Sequence, residues 1–280
     1  MIATEHIRAA RRIIDEAQAL LIVAGAGMGV DSGLPDYRGS AGLYRSYPPF
    51  ARLGNNYIDM MKLSGLEHDP CLAWGYWGYL LNLFRATQPH EGFRILLDFG
   101  EGKANNYFVQ TTNIDGQFQK AGFDPGRIHE CHGSLLRLQC FSPCSETAWS
   151  SDTLDLTINP KTMRVEAPLP RCPRCGSLAR PNVFMFGDTK YNWDIPQGHA
   201  DRYRAWLAAN HDRTMAIIEC GAGSVVPGLR RHSEELAREY PHAHLIRINP
   251  HEPEIPNKHN CLAIPLGALQ GLTLISNIGE

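Results

Sequence analysis

The run Ala19-Leu20-Leu21-Ile22-Val23-Ala24 passes without a polar break into Gly25-Ala26-Gly27. A strand with no polar alternation is buried on both faces, which requires a parallel sheet covered by helices on each side. Glycines at its end let the backbone come close to a phosphate, because no Cβ stands in the way. Further short strands are expected at Tyr107-Phe108-Val109-Gln110, Ile128-His129-Glu130-Cys131, Met215-Ala216-Ile217-Ile218-Glu219 and His244-Leu245-Ile246-Arg247-Ile248. Helical spacing of apolar residues occurs over 5–18, 71–86, 90–98, about 228–240 and 266–275. Strands alternating with helices predict an α/β fold with a doubly wound parallel sheet. Residues 40–68 read as irregular, with Tyr47-Pro48-Pro49 and Asn55-Asn56 as turn signals. The aromatics of 71–86 read as core.

The 280 residues suffice for a full core, and the formal net charge of −2 provides no global field for nucleic acid or an anionic membrane. No apolar run reaches the roughly 18–20 residues needed to span a bilayer. The opening residues lack the regions of a signal peptide, so a cytoplasmic location with reduced thiols is expected. The eight cysteines then need a reading other than disulfides. Cys71, Cys131, Cys220 and Cys261 lie in apolar contexts and read as small core hydrophobes. Cys140 and Cys144 have three residues between them, Cys172 and Cys175 two, and 27 residues separate the pairs. Two such knuckles predict a four-thiolate structural zinc site, with a rubredoxin-like iron centre as the alternative. Four thiolates leave no open coordination position, so the metal would serve folding, not catalysis. The segment 140–180 reads as an insert into the sheet.

The glycine loop alone is weak evidence, and Val30 stands where a dinucleotide fingerprint needs its third glycine. No acidic residue ends a second strand about twenty residues on, which disfavours a hydride-transfer dehydrogenase. Two companions follow later strands. Thr111-Thr112-Asn113-Ile114-Asp115 lies after Gln110, and His132-Gly133-Ser134 after Cys131. Both would sit at the carboxyl edge of the sheet, where open α/β sheets bind ligands. Asn113 or Asp115 could equally cap the next helix.

The order of motifs resembles the sirtuin (Sir2) family of NAD-dependent protein deacylases, of a bacterial type. It runs from Gly-Ala-Gly and Ser-Gly-Leu-Pro-Asp-Tyr-Arg through Thr-Thr-Asn-Ile-Asp, His-Gly and the two cysteine pairs to Arg180-Pro181-Asn182-Val183-Phe184-Met185-Phe186-Gly187-Asp188. The resemblance spans about Ala24 to Asn249. It implies a Rossmann-like sheet plus a smaller domain made of the zinc module and a helical part, with NAD between them. Within one catalytic domain over 1–280, the Rossmann-like part would take about 1–45, 100–138 and 187–280. The helical part would take about 46–99, and the zinc module about 139–186. Position by position, Ala24, Gly25, Ala26 and Met28 would wall the NAD pocket, and Asp36, Tyr37 and Arg38 would lie on the cofactor loop. Thr112 would be near the ribose, and Asn113 and Asp115 would line the nicotinamide pocket. His132 would be the general base. Gly221 and Ala222 would meet the phosphates and ribose, and Asn249 the adenosine part. The implied partner is an acylated-lysine protein; neither nucleic acid nor membrane is expected.

The chain departs from the family at Gly29 (usually serine), Thr112 (glutamine), Tyr37 (phenylalanine) and Asp188 (glutamate). The family's Gly-Thr-Ser is Gly221-Ala222-Gly223 here, with Ser224 the candidate to replace the lost hydroxyls. No Tyr-x-x-Arg occurs, and Tyr76-Trp77-Gly78-Tyr79 puts tyrosine where arginine would be, so neutral acyl groups are expected. The alternatives are protein ADP-ribosyl transfer or NAD hydrolysis on the same fold, or a non-catalytic NAD-binding module.

Overall fold

The computed structural model describes residues 4–36, 50, 57–104, 106–145, 147–166, 168–255 and 260–278. Tyr37 and Arg38, and with them most of the segment expected to be irregular, lie outside the described residues. The described end of that segment holds two short helices, α2 (Tyr57–Met60) and α3 (Leu63–His68).

Strand β1 (Ala19–Ala24) is buried at every residue, as its unbroken apolar run requires. Leu20, Ile22 and Ala24 enter one core, and Ala19, Leu21 and Val23 the opposite one, because successive side chains alternate across the sheet. The first core is closed by α1 (Thr4–Glu16), α5 (Glu91–Glu101) and α9 (Ala268–Asn277), through Ile14, Leu96 and Leu272. On the other face lie α7 (Asp194–Ala209) and α8 (Gly228–Glu239), through Tyr203, Leu207 and Leu236.

β1 pairs in parallel with β2 (Tyr107–Thr111) and β7 (Met215–Cys220). With β3 (Ile128–Glu130), β8 (Ala243–Ile248) and β9 (Cys261–Ile264) the order is β3-β2-β1-β7-β8-β9. The chain builds outward on one side of β1 and later on the other. The topological switch point therefore falls between β1 and β7, at their carboxyl ends.

The smaller part joins α4 (Pro70–Ala86) to an antiparallel sheet of β5 (Trp149–Ser150), β4 (Gly133–Cys140) and β6 (Ala179–Val183). The aromatics of α4 are core: Trp74, Tyr76 and Trp77 are fully buried. Gly75 is needed where the helix meets the insert, since a Cβ there would lie 1.7 Å from the Met163 carbonyl oxygen. Asp69 caps α4 through the Leu72 N–H and also receives both arms of Arg164, at 2.6 and 2.7 Å. Trp74 Nε1 donates to the Ala179 carbonyl at 3.0 Å.

Several elements differ from expectation, including the antiparallel strands β4, β5 and β6, which fall in stretches read without strands. Strand β9 and helix α7 were not anticipated: β9 is short and only partly buried, and α7 buries few apolar residues. α5 falls largely within the stretch assigned to the helical part, yet packs on the large sheet. Of the four scattered cysteines only Cys220 is buried; Cys71, Cys131 and Cys261 are half-buried.

Candidate active site

Three glycines close the switch point. Gly221 has φ +64°, and a Cβ on it would stand 2.3 Å from both Gly27 C and Met28 N. A Cβ on Gly25 would lie 2.7 Å from Gly221 O, and one on Gly27 2.7 Å from Gly221 Cα. The two loops are joined by Gly25 N to Cys220 O and Gly27 N to Gly221 O, both 3.0 Å. These glycines thus bring two strand ends into backbone contact. Gly221→Ala combines overlap with a left-handed φ and should cost at least about 2 kcal/mol, read as a lowered denaturation midpoint.

A cleft opens beside them, with Gly27, Asp31, Asp36, Gly221 and His251 among its walls. Ala24 and Met28 are fully buried, and Ala26 is half-buried. Ala222 is buried too, its carbonyl accepting from Asn249 Nδ2 at 3.0 Å. Asn249 Oδ1 accepts the N–H groups of His251 and Glu252, so both ends of its amide shape the loop bordering the cleft. Ser224 Oγ donates to Glu252 at 2.5 Å, which commits the hydroxyl expected to replace the missing ones.

On the β2 side, Thr111 Oγ1 donates to Ala24 O at 2.9 Å and accepts from Asn113 N at 3.0 Å. Asn113 Nδ2 then reaches Gly25 O at 3.0 Å, and Thr112 N reaches Ala24 O at 3.3 Å. Asp115 Oδ1 accepts from Gln117 N at 2.9 Å, an Asx turn into α6 (Gln117–Lys120). Burial of its carboxylate raises the pKa to about 6, with a smaller push from the Glu130 charge. Asp115 thus caps the following turn, and Asn113 joins the loop to the end of β1.

His132 leaves β3 next to that loop, its ring hydrogen-bonded to the Thr112 backbone. Burial lowers its pKa, so the imidazole is neutral at physiological pH. Its carbonyl accepts from Phe184 N at 3.0 Å. Gly133 has φ +78°, and a Cβ there would lie 2.2 Å from Asn182 O.

The sequence offers His90, like every histidine but His132, only a structural role, and the structure gives it one. Its Nδ1 accepts from Gly92 N at 3.0 Å, capping α5, so Nε2 carries the proton donated to Met28 O at 2.8 Å. Burial holds His90, His129, His132, His199 and His232 below their ordinary pKa, His129 and His199 at about 4. A lowered folded-state pKa gives stability that is complete above about 6.5 and lost as pH falls from there toward 4. Asp115 opposes this, its raised pKa easing folding below about 6. Five groups outweigh one. Unfolding free energy should be at least about 1 kcal/mol lower at pH 5 than at pH 7.5 in denaturant titrations.

The four predicted metal ligands converge. The sulfurs of Cys140, Cys144, Cys172 and Cys175 all lie within 4.8 Å of one another, with Cys140–Cys175 and Cys144–Cys172 at 3.6 Å. Tetrahedral zinc with Zn–S near 2.3 Å needs edges of about 3.8 Å, and the thiolate set matches. Gly176, at φ +73°, closes the second knuckle as its N–H bonds Cys172 O at 2.9 Å. Among the described residues no other such cluster occurs.

The Sir2 family profile matches residues 25–198, from the glycine loop through both cysteine pairs. The chain belongs to the Sir2 family. A Sir2 relative, an NAD-dependent protein deacylase of Thermus thermophilus, is 26% identical over 276 residues, 97% of this chain and 94% of that one. NAD-dependent protein deacylase 2 of Pseudomonas aeruginosa is 32% identical over 203 residues, 72% of this chain and 71% of that one. Among solved Sir2 structures, a Sir2 homolog–NAD complex superposes with TM-score 0.74 at 22% identity, covering 96% of this chain and 92% of that one.

Proposed function

We propose that the protein is an NAD-dependent protein-lysine deacylase that consumes NAD and releases nicotinamide, O-acyl-ADP-ribose and free lysine. One observation carries this reading: a half-buried His132, its pKa lowered by burial, stands next to the Asn113–Asp115 loop in a Sir2-family chain. Curated relatives over nearly the whole length bear the name of that activity.

NAD would lie along the carboxyl edge of the sheet, against Gly25, Ala26, Gly221 and Ala222. Asp36 lines the cleft there, and Asn249 holds the loop that borders it. Departure of nicotinamide builds positive character at ribose C1′, where an acyl-lysine amide oxygen held in line can attack; positioning supplies much of the rate. Asn113 and Asp115 would hold the nicotinamide. His132 would then take the proton from a ribose hydroxyl as it attacks the acyl carbon, a task suited to a neutral imidazole. The zinc site, sealed by four thiolates, would take no part in the chemistry. The division into a Rossmann-like part, a helical part and a zinc module belongs to the same proposal. Tyr79, where a cation for acidic acyl groups would stand, packs edge-on against Phe50 at 6.2 Å, which supports neutral acyl groups.

The test is incubation with NAD and an acetyl-lysine peptide, followed by mass spectrometry. Free lysine peptide, nicotinamide and O-acetyl-ADP-ribose in equal amounts are expected. ADP-ribose attached to protein, or released without deacylation, would replace this reading by transfer or hydrolysis.

A further inference from the structure

Arg180 and Asp188 form an ion pair whose side chains are both fully buried. Arg180 Nη1 donates to Asp188 Oδ1 at 2.8 Å, and Nη2 donates to Asp188 Oδ2 and to the Val183 carbonyl. Asp188 also accepts the N–H groups of Met185, at 3.2 Å, and Lys190, at 3.0 Å. The pair therefore grips the backbone on both sides of the turn 184–187. Gln139 extends the grip, its Nε2 donating to Lys190 O at 2.8 Å and its Oε1 accepting from Asn182 and Asn192.

What is gripped has an unusual surface. Val183 and Met185 are buried, whereas Phe184 and Phe186 between and beyond them are 40% and 52% exposed. This is strand alternation, with one face in the core and an aromatic face outside. Phe184 N is bonded to the His132 carbonyl, so the aromatic face begins at the candidate base. Phe186 ties the other end to the helical part, donating to Met61 O at 3.0 Å and accepting from Leu63 N at 3.3 Å. A buried ion pair replaced by apolar groups of similar volume often leaves stability unchanged, so stability alone does not account for this one.

We propose that Arg180 and Asp188 are positioning residues for the polypeptide substrate: they hold the Phe184–Phe186 edge rigid beside His132, where the chain carrying the acyl-lysine lies. The placement of the substrate rests on the deacylase reading; the rigidity of the edge does not. Apolar face and base share one backbone segment, so a shift of that segment misplaces the substrate without touching the NAD side of the cleft.

Four proteins test this: wild type, Asp188→Glu, Asp188→Asn and the double variant Arg180→Met/Asp188→Leu, which leaves no buried charge unpaired. Each is first checked for zinc content and thermal unfolding. The double variant should keep its fold and NAD KM within about twofold, while KM for an acetyl-lysine peptide rises about tenfold. Asp188→Glu, which keeps the carboxylate, should stay within about threefold, and Asp188→Asn should fall between. Amide exchange over 184–187 should quicken in the double variant and hardly change in Asp188→Glu. An unchanged peptide KM with unchanged exchange would overturn the proposal, as would an equal rise in both KM values accompanied by a fall in melting temperature. Should wild type not deacylate at all, the functional reading falls, and the exchange of 184–187 alone decides the clamp.

Discussion

Replacing His132 by alanine is expected to lower deacylation by about 10²–10⁴-fold, the usual contribution of a positioned general base, while NAD binds nearly as before. The substitution is clean for a structural reason. The group of His132 that holds Phe184 is its backbone carbonyl, which alanine keeps, and Gly133 continues to supply the left-handed turn. Only the imidazole and its bond to the Thr112 backbone are lost. The pH profile offers a second reading. Because burial lowers the pKa of His132, the acid limb of the wild-type rate should break below 6.5, activity rising with pH as the ring loses its proton. Steady-state deacylation and calorimetric NAD titration check both statements. Undiminished turnover in His132→Ala would remove the histidine from its assigned role.

Loss of the metal should have the other large effect. One zinc per chain is expected by elemental analysis, and Cys172→Ser should cost several kcal/mol or prevent folding. Structural zinc contributes about 10–16 kcal/mol to the folding of isolated finger peptides. The damage should spread beyond the knuckles. The insert shares one hydrophobic cluster with α4, through Leu156, Met163 and Val165 against Trp74 and Trp77. It also presses the Met163 carbonyl onto Gly75, and Arg85 reaches the carbonyls of Ser151 and Leu154. Chelation should therefore lower the tryptophan signal of α4 together with insert structure, in one transition. A preparation free of metal yet equally stable would refute the assignment.

How much of this was legible depended on the range of the interactions. Strand β1 could be read because burial on both faces leaves an unbroken apolar run, and β7 opens with a shorter one, Met215 to Ile218. Strand β9 could not, since an edge strand with partly buried residues carries little periodicity. Helix α7 hid for a related reason, its sequence mixing charged and apolar residues with few of them buried. The cysteine pairs were legible because knuckle spacing is a local property of the chain. The Arg180–Asp188 pair was not, although both residues stood in a motif already noted, because burial of a charge is decided by what covers it.

Taken by itself, the sequence determined the α/β class, the four metal ligands and the loops that reach the carboxyl edge of the sheet. The class rests on strands and helices alternating along the chain, and the ligands and loops on spacing within short segments. Tertiary structure alone decided the use of the glycines that mark the opening strand. Gly25, Gly27 and Gly221 are 196 residues apart at their extremes, as 221 minus 25, and meet because β1 and β7 are neighbours. Their missing Cβ atoms let two backbones touch, and the cleft lies beside that contact. Backbone packing of that kind has no signature in composition or period, because it depends on which distant strand comes to lie alongside.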